Sequence, residues 1–224
     1  MSRPFVFINM AMSADGKIAS ANRKVTSFGS RADHARLLEL RSKADAILAG
    51  AGTLNAQPDI TLGPGKKQNH APIRVVVCGR GQVNSKHKIF RTPGAPVVVL
   101  ASEGILCKRL TELKALADAV YVCGANSVDF KEAFNFLSEK YHTKRILCEG
   151  GGKLNDSLFR AGVVDEVNLT ICPLILGGKD APTIADGIGF KKLAQSAHFK
   201  LHSHKEVGTE MFLTYRASRN SKSA

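Results

Sequence analysis

Residues 145–155 read RILCEGGGKLN, in which three consecutive glycines separate a strand pattern from a helix pattern. A short strand pattern, Arg145–Cys148, is followed by Glu149 and three glycines, and an amphipathic helix pattern then runs through Phe159. Glycines let ligand atoms approach backbone N–H groups closely, and the N-terminus of a helix carries partial positive charge. The stretch therefore predicts a cradle for a diphosphate. It matches neither GxGxxG nor the P-loop, so a purely structural strand-to-helix turn stays open as the alternative.

The segments on either side alternate between strand and helix patterns. Runs of apolar and β-branched residues predict strands at Phe5–Met10, Ala46–Ala49, Ile73–Cys78, Val97–Leu100, Ala119–Cys123, Arg145–Cys148 and Glu166–Cys172. Ser30 and Asp129 are suitable N-caps for helices over Arg31–Lys43 and Phe130–Lys140. The alternation predicts a mainly parallel sheet with helices on both faces, because parallel neighbours need crossover connections.

The C-terminal part of the chain has a different rhythm. Two further strand patterns, Ala197–His204 and Glu210–Ala217, have no helix of useful length between them, so they predict an antiparallel portion added to the sheet. We therefore predict an α/β fold with a mixed, mainly parallel sheet in one domain over residues 1–217. The last residues, 218–224, predict a flexible tail.

Two more turns follow predicted strands. Gly50-Ala51-Gly52-Thr53 follows Ala46–Ala49, and Gly79-Arg80 follows the strand that begins at Ile73. Ligands of open α/β sheets lie beyond the carboxyl ends of the strands, so all three turns are expected at one edge. There the Thr53 hydroxyl would cap a short helix or contact a phosphate, and Arg80 would meet a 2′-phosphate, with an exposed arginine that binds nothing as the alternative.

The N-terminal stretch NMAMSADGKIAS, residues 9–20, leaves a strand and turns at Asp15-Gly16. Asp15, Lys17 and Glu149 are the acid and base groups that lie next to glycine turns at predicted strand ends. We therefore predict that these three residues are catalytic. A plain β-turn with a solvent-exposed lysine is the alternative for the first two.

The composition excludes several classes of protein. Among 224 residues, 44% are hydrophobic and 23% charged, which is typical of a globular protein. No apolar run approaches the roughly 20 residues that span a bilayer, and the first residues lack a signal-peptide pattern, so we predict a cytoplasmic protein without membrane contact. The five cysteines form no CxxC pair and predict reduced, structural thiols. No HExxH, DxDxDG or zinc-deaminase motif occurs, so no metal site is predicted.

The formal net charge of +13 indicates an anionic partner. Nucleic acids, phosphorylated metabolites and dinucleotide cofactors all satisfy this requirement. The chain has no Trp and only three Tyr, so it is poorly supplied with a platform on which bases could stack. We predict no nucleic-acid partner, and a basic nucleic-acid-binding protein remains the less favoured alternative.

Four segments, in this order, resemble a known family. They are NMAMSADGKIAS at 9–20, LRSKADAILAGAGTLNAQPDITL at 40–62, IRVVVCGRG at 73–81 and ILCEGGGKLNDSLFRAGVVDEVNLTICPLILGGKDAPT at 146–183. Together they are similar to the riboflavin-biosynthesis reductases that act on 2,5-diamino-6-ribosylamino-4(3H)-pyrimidinone 5′-phosphate. The resemblance spans residues 4 to about 215 and implies a dihydrofolate-reductase-like fold, NADPH as cofactor and a homodimer. The zinc-deaminase signature of the bifunctional bacterial relatives is absent, so a stand-alone reductase of archaeal or fungal type is implied.

The resemblance also implies which residues contact the cofactor and the substrate. Cofactor contacts fall on Ala11, Thr53, Gly79, Gly151, Gly152, Lys153, Leu154 and Asn155, to which the turns described above add Arg80 and Gly150. Substrate contacts fall on Ser27, Arg41, Ile60, Lys66 and Glu149. Where the family commonly reads T-x-L-x-D-D-P, this chain reads TLNAQP at 53–58, one residue shorter and without the acidic pair. Gly63 stands where some relatives have a basic residue, so Lys66 or Lys67 is the implied replacement that contacts the substrate phosphate.

The implied reaction is hydride transfer from NADPH to C1′ of the ribosylamino group, in its ring-opened imine form. In this hypothesis Glu149 accepts hydrogen bonds from the pyrimidine amino groups, Lys17 supplies a proton, and Asp15 orients Lys17. Arg41 holds the substrate phosphate, with a surface salt bridge as the alternative. Another NADPH-dependent reductase of the same scaffold, acting on a pterin, is the alternative within the same class, because a fold does not determine the substrate.

Overall fold

The computed structural model describes residues 3–23, 29–64 and 71–218. It contains one nine-stranded sheet built from β1 (Phe5–Ser13), β2 (Ala46–Gly50), β3 (Ile73–Val77), β4 (Val97–Ala101), β5 (Ala119–Val122), β6 (Arg145–Cys148), β7 (Glu166–Cys172), β8 (Phe199–Val207) and β9 (Glu210–Ala217). The helices are α1 (Arg31–Ser42), α2 (Ala51–Ala56), α3 (Cys107–Leu116), α4 (Phe130–Tyr141) and α5 (Gly152–Arg160). Short 3₁₀ turns occur at Lys88–Phe90 and Leu193–Gln195. No helix in the described part of the chain is long and apolar enough to cross a membrane.

The strand order is β5-β4-β3-β2-β6-β1-β7-β9-β8. The seven strands from β5 to β7 pair in parallel, whereas β9 pairs antiparallel with β7 and β8 antiparallel with β9. This confirms the predicted mixed, mainly parallel sheet with an antiparallel C-terminal portion. Because the parallel strands share one direction, the loops at their carboxyl ends meet at the same edge.

A separate apolar core lies on each face of the sheet. One core includes Phe134 and Leu137 of α4 together with Leu158 of α5. The other includes Leu40 of α1 and Leu113 of α3. The prediction that helices cover both faces is therefore confirmed, and the near-continuous burial of β2 and β4 is typical of strands packed on both sides.

Local signals explain where the two long helices begin. The Ser30 hydroxyl accepts from the backbone N–H groups of Ala32 and Asp33, and Asp129 Oδ1 accepts from Lys131 and Glu132. These side chains satisfy N–H groups that have no partner within the helix. The predicted bounds differ from the structure by a few residues: β1 continues to Ser13, and β8 runs over Phe199–Val207 rather than Ala197–His204.

Candidate functional site

A cleft of about 420 Å³ lies at the carboxyl edge of the parallel strands. Turns that follow β2, β3, β5 and β6 form its walls, together with residues near the end of β1 and a segment of the connection between β7 and β8. Its lining includes Thr53, Gly79, Arg80, Glu149, Lys153 and Asp186. This is the position at which open α/β sheets bind their ligands.

The glycine turn lies at the centre of this edge. Gly150 has φ +84°, a left-handed conformation that favours glycine, and the peptide bond between Gly150 and Gly151 is cis. A Cβ on Gly150 would lie 2.7 Å from Met10 Sδ, so the turn packs tightly against β1. The N-cap of α5 is Gly151, and no side chain of the described residues caps this helix. The first N–H groups of α5 therefore border the cleft at the positive end of the helix dipole.

The turn after β2 packs directly against the glycine turn. The N–H of Gly50 donates to the carbonyl of Gly150 at 2.9 Å, and the N–H of Glu149 donates to the carbonyl of Leu48 at 2.9 Å. A Cβ on Gly151 would lie 2.9 Å from the Thr53 hydroxyl. The two glycine turns thus form one continuous backbone surface, with the Thr53 hydroxyl beside it.

The turn after β3 lies farther along the same edge. Gly79 lines the cleft, and its carbonyl accepts a hydrogen bond from the buried Ser102 hydroxyl at 2.9 Å. Arg80 is exposed and lines both the main cleft and a neighbouring depression. Asn126, in the loop after β5, lines the same two spaces. Arg80 is therefore a cation at the junction of both spaces.

Glu149 and Arg41 form a partly buried ion pair at the edge of the cleft. Arg41 Nε lies 2.6 Å from Glu149 Oε1, Arg41 Nη2 lies 2.7 Å from Oε2, and Arg41 Nη1 lies 3.2 Å from the carbonyl oxygen of Gly63. The exposed fractions of the two side chains are 15% and 11%. Burial lowers the pKa of Arg41, but its hydrogen bonds and charge interaction with Glu149 outweigh this and raise the pKa overall. Arg41 thus forms a bidentate salt bridge that is mostly shielded from solvent, rather than an exposed one at the surface.

The turn after β1 is organised differently from the prediction. The Asp15 carboxylate accepts from the Ser13 hydroxyl at 2.6 Å and from the N–H groups of Leu176 and Gly177 at 3.1 and 2.8 Å. The Ser13 hydroxyl and these two N–H groups lower the pKa of Asp15 to about 2. Lys17 Nζ instead approaches the carbonyl oxygen of Ala181 at 3.4 Å. Asp15 therefore anchors the β7–β8 connection, and the described hydrogen bonds of its carboxylate go to Ser13, Leu176 and Gly177 rather than to Lys17.

The β7–β8 connection supplies cleft residues that the sequence analysis missed. Asp186 accepts from the Thr183 hydroxyl at 2.6 Å and from the Thr183 N–H at 2.9 Å, and its own N–H donates to the carbonyl of Gly152 at 3.0 Å. Pro182 lines the cleft, and its carbonyl accepts from the N–H of Ile18. No local motif marks Asp186 in the sequence. Asn126, in the loop after β5, is a second lining residue that the sequence analysis did not single out.

The predicted residues fall into three groups. Thr53, Gly79, Arg80, Gly151, Gly152, Lys153, Leu154 and Glu149 line the cleft. Ala11, Asp15, Lys17, Arg41, Ile60, Gly150 and Asn155 are not among the described residues that line it. Ser27 and Lys66 lie outside the described residues.

Asn155 is the clearest departure in the second group. It is fully buried, donates to the carbonyl of Ile184 at 2.8 Å and accepts from Cys148 Sγ at 3.4 Å. These contacts hold the glycine turn on the side away from the cleft. The resemblance had implied that Asn155 contacts the cofactor. Ile60 is half-buried and packs against the core that includes Leu40.

Comparisons with known proteins agree with this architecture. The family model of the RibD C-terminal domain matches residues 4–213. The chain is 35% identical over 222 residues to the 2,5-diamino-6-ribosylamino-4(3H)-pyrimidinone 5′-phosphate reductase of Methanothermobacter thermautotrophicus, covering 95% of this chain and 98% of that protein. It is 33% identical to the enzyme of the same name from Aquifex aeolicus, covering 94% of this chain and 95% of that protein.

Solved structures show the same fold at lower identity. Acinetobacter baumannii RibD superposes with a TM-score of 0.79 at 23% identity, covering 97% of this chain and 59% of that one, so this chain corresponds to little more than half of that protein. Dihydrofolate reductase from Enterococcus faecalis superposes with a TM-score of 0.50 at 13% identity, covering 95% and 96% of the two chains. The expected dihydrofolate-reductase-like fold is confirmed.

Proposed function

The chain belongs to the RibD C-terminal domain family, and on that premise we propose that it is the riboflavin-biosynthesis reductase of 2,5-diamino-6-ribosylamino-4(3H)-pyrimidinone 5′-phosphate, with NADPH as its reductant. Two reductases of this name match it over nearly their whole length. The observation that carries the proposal is the cleft in which the N-terminus of α5 and the turns after β2 and β3 face one space.

The residues at the cleft fit a dinucleotide. The first N–H groups of α5 and the Thr53 hydroxyl are donors suited to a diphosphate, and the Gly151–Gly152 backbone lets it approach closely. Arg80 follows β3, and β2 lies between β3 and the strand β6 that precedes the glycine turn. At this position Arg80 suits the 2′-phosphate that distinguishes NADPH from NADH. When bound, the cofactor supplies the hydride that reduces C1′ of the ring-opened substrate to the ribitylamino product.

The protein's own contribution is mainly to position the reactants. Orienting two reactants can lower a barrier by roughly 7 to 11 kcal/mol. Glu149 lines the cleft, and each carboxylate oxygen that accepts from Arg41 keeps a further lone pair for an amino group of the pyrimidine. Lys17 remains the proposed proton donor, because its long, rotatable side chain stands next to Ile18, which lines the cleft. Ser27 and Lys66 remain proposed substrate contacts.

We further propose that the protein is a homodimer, as the resemblance implies. Large apolar side chains are exposed on the β7–β8 connection and on β8: Ile175 is 72% exposed, Ile188 79%, Leu193 87% and Leu201 52%. Large exposed apolar side chains that form one patch mark an interaction surface, so we propose these four as the dimer contacts. Analytical ultracentrifugation tests this, and a monomer at micromolar concentration would contradict it.

The decisive experiment follows the loss of NADPH absorbance when the purified protein meets the pyrimidinone phosphate. Parallel reactions contain NADH in place of NADPH, or dihydrofolate in place of the substrate. Oxidation of NADPH with the pyrimidinone alone supports the proposal. Oxidation with dihydrofolate alone would favour the pterin alternative, and failure to bind NADPH in calorimetry would overturn the assignment of the cleft.

Arg80→Ala tests the preference for NADPH, with Arg31→Ala, which removes an exposed arginine at the start of α1, as the matched control. Arg80→Ala should weaken NADPH binding by about tenfold and leave NADH binding unchanged, because only NADPH carries the 2′-phosphate. Arg31→Ala should change neither. Equal losses for both cofactors would remove Arg80 from this role.

A further inference from the structure

Asp186 is the acidic residue that the β7–β8 connection contributes to the cleft, and the proposed function leaves its carboxylate without a role. The residue is half-buried, and both carboxylate oxygens accept from Thr183: Oδ1 from the hydroxyl at 2.6 Å and Oδ2 from the N–H at 2.9 Å. The N–H of Asp186 donates to the carbonyl of Gly152 at 3.0 Å. These three hydrogen bonds fix the orientation of the carboxylate at the wall of the cleft.

The carboxylate stands beside the N-terminus of α5. A Cβ on Gly152, the first residue of this helix, would lie 2.8 Å from Asp186 Oδ2. The first N–H groups of α5 are the proposed donors to the cofactor diphosphate, and a carboxylate so close to them repels an anion. Since a carboxylate only accepts hydrogen bonds, Asp186 does not bind the diphosphate itself. A contact between Asp186 and the cofactor therefore needs a neutral donor close to the diphosphate.

The hydroxyls of the two riboses are the neutral donors that adjoin the diphosphate of a nicotinamide dinucleotide. The adenosine ribose of NADPH carries the 2′-phosphate, and Arg80 is the proposed contact of that end. The other ribose, which carries the nicotinamide ring, has free 2′- and 3′-hydroxyls. Each oxygen of the Asp186 carboxylate keeps a lone pair after its bond to Thr183, so the carboxylate can accept from both hydroxyls. An acidic side chain accepts from a ribose hydroxyl in the same way in other dinucleotide-binding sites.

We propose that Asp186 binds the ribose diol on the nicotinamide side of the cofactor and thereby fixes the position of the ring. This inference rests on the proposed function. Gly152 and Asp186 then bind adjacent groups of one ligand, the diphosphate through the N-terminus of the helix and the ribose through the carboxylate. Because NADPH and NADH both carry this ribose, Asp186 contributes equally to the binding of both, in contrast to Arg80.

The test compares three ligands that differ on the nicotinamide side of the diphosphate. They are oxidised NADP, 2′-phospho-ADP-ribose, which keeps the ribose and lacks the ring, and 2′-phospho-ADP, which lacks both. Calorimetry measures their dissociation constants for the full chain. Asp186→Asn should weaken the first two by about tenfold relative to 2′-phospho-ADP, because only they carry the ribose. Asparagine keeps the size of the side chain and can still form hydrogen bonds with Thr183.

Asp180→Asn is the matched control, because it removes the same charge from an exposed residue of the same connection. It should leave all three constants unchanged. In the wild-type protein, 2′-phospho-ADP-ribose should bind about tenfold more tightly than 2′-phospho-ADP, and this comparison does not depend on the folding of any variant. Thermal unfolding is measured for both variants, so that a loss caused by misfolding is recognised.

Three results would overturn the inference. If Asp186→Asn weakens all three ligands by the same factor, or leaves all three unchanged, the carboxylate does not bind the ribose. If it tightens all three equally, the carboxylate only repels the diphosphate. If the wild-type protein binds the two ADP derivatives equally well, the ribose makes no contact. If the wild-type protein binds none of the three ligands, the proposed function itself fails, which is distinguishable because no variant is needed to see it.

Discussion

Replacing Gly152 by alanine tests how closely the glycine turn and the β7–β8 connection pack. A methyl group on Gly152 would lie 2.5 Å from the carbonyl oxygen of Thr183 and 2.8 Å from Asp186 Oδ2. The first of these is a backbone atom, which no side-chain rotation can move away. The connection would have to shift, and the hydrogen bond from the Asp186 N–H to the Gly152 carbonyl, 3.0 Å long, would weaken.

The expected size of this effect follows from two opposing contributions. Overpacking a well-packed site costs about 1–3 kcal/mol. Alanine stabilises a helix interior by about 1 kcal/mol relative to glycine, but Gly152 is the first residue of α5 and gains only part of this. The net loss is about 1–2 kcal/mol, which lowers Tm by roughly 2–8 °C in a chain of this size.

Gly52→Ala is the matched control. A Cβ on Gly52 would have no described atom within 4 Å, and Gly52 is the second residue of α2, so Tm should stay the same or rise by at most roughly 2 °C. Circular dichroism measures Tm for both variants, and calorimetry measures NADPH binding. Gly152→Ala should also weaken NADPH, since its backbone lines the cleft. A Gly152→Ala protein that melts at the wild-type temperature would refute the packing argument.

Three further outcomes are expected. Asp165→Ala removes the two 2.7 Å contacts to Arg3 and the 2.9 Å hydrogen bond from the Val6 N–H, and it should lower the free energy of unfolding by about 2 kcal/mol in urea denaturation. A loss below about 0.5 kcal/mol would contradict a stabilising role of the Asp165 carboxylate. The pKa of Asp15 should be about 2 by carboxyl NMR titration, so its hydrogen bonds favour the folded state above pH 3.8 and cease to do so as the pH falls through about 2. In Ser13→Ala this pKa should rise toward 3.8, because the Ser13 hydroxyl is the main cause of the shift, and an unchanged value would exclude that cause. Of the five thiols only that of Cys107 should react with maleimide at neutral pH in the native protein, since the others are buried, and labelling of a second cysteine by mass spectrometry would contradict this.

Much of the fold could be predicted because its signals are local. Buried parallel strands such as Val97–Ala101 are uninterrupted apolar runs, and glycines mark where β2, β3 and β6 end. The meeting of the glycine turns at one edge also followed from the sequence, because parallel strands point in one direction. The hydrogen bond from the Gly50 N–H to the Gly150 carbonyl shows that two of these turns are in direct contact.

The missed parts of the site depend on contacts between distant segments. Arg41 and Glu149 are separated by 108 positions, and nothing near either residue indicates its partner. Asp186 reaches the cleft only because Asp15, Asp156 and Asn155 anchor the long connection after β7. Asn155 itself follows the glycine turn in sequence, but the helical period of α5 turns its side chain toward the core with Leu158.

The arrangement of charge along the cleft gives an orientation to the proposed ligand that the net charge of +13 does not. Glu149 and Asp186 are close to the glycine turn after β6, whereas Arg80 follows β3, two strand spacings or roughly 10 Å away. In the proposed complex the phosphate on the adenosine ribose of the dinucleotide would lie at the Arg80 end, because Arg80 is an exposed cation that lines the cleft there. The reactive ring of the dinucleotide would then lie toward Glu149, the residue proposed to hold the pyrimidine. Arg80 and Glu149 would thereby orient the cofactor so that its hydride-donating ring faces the substrate carbon that accepts the hydride.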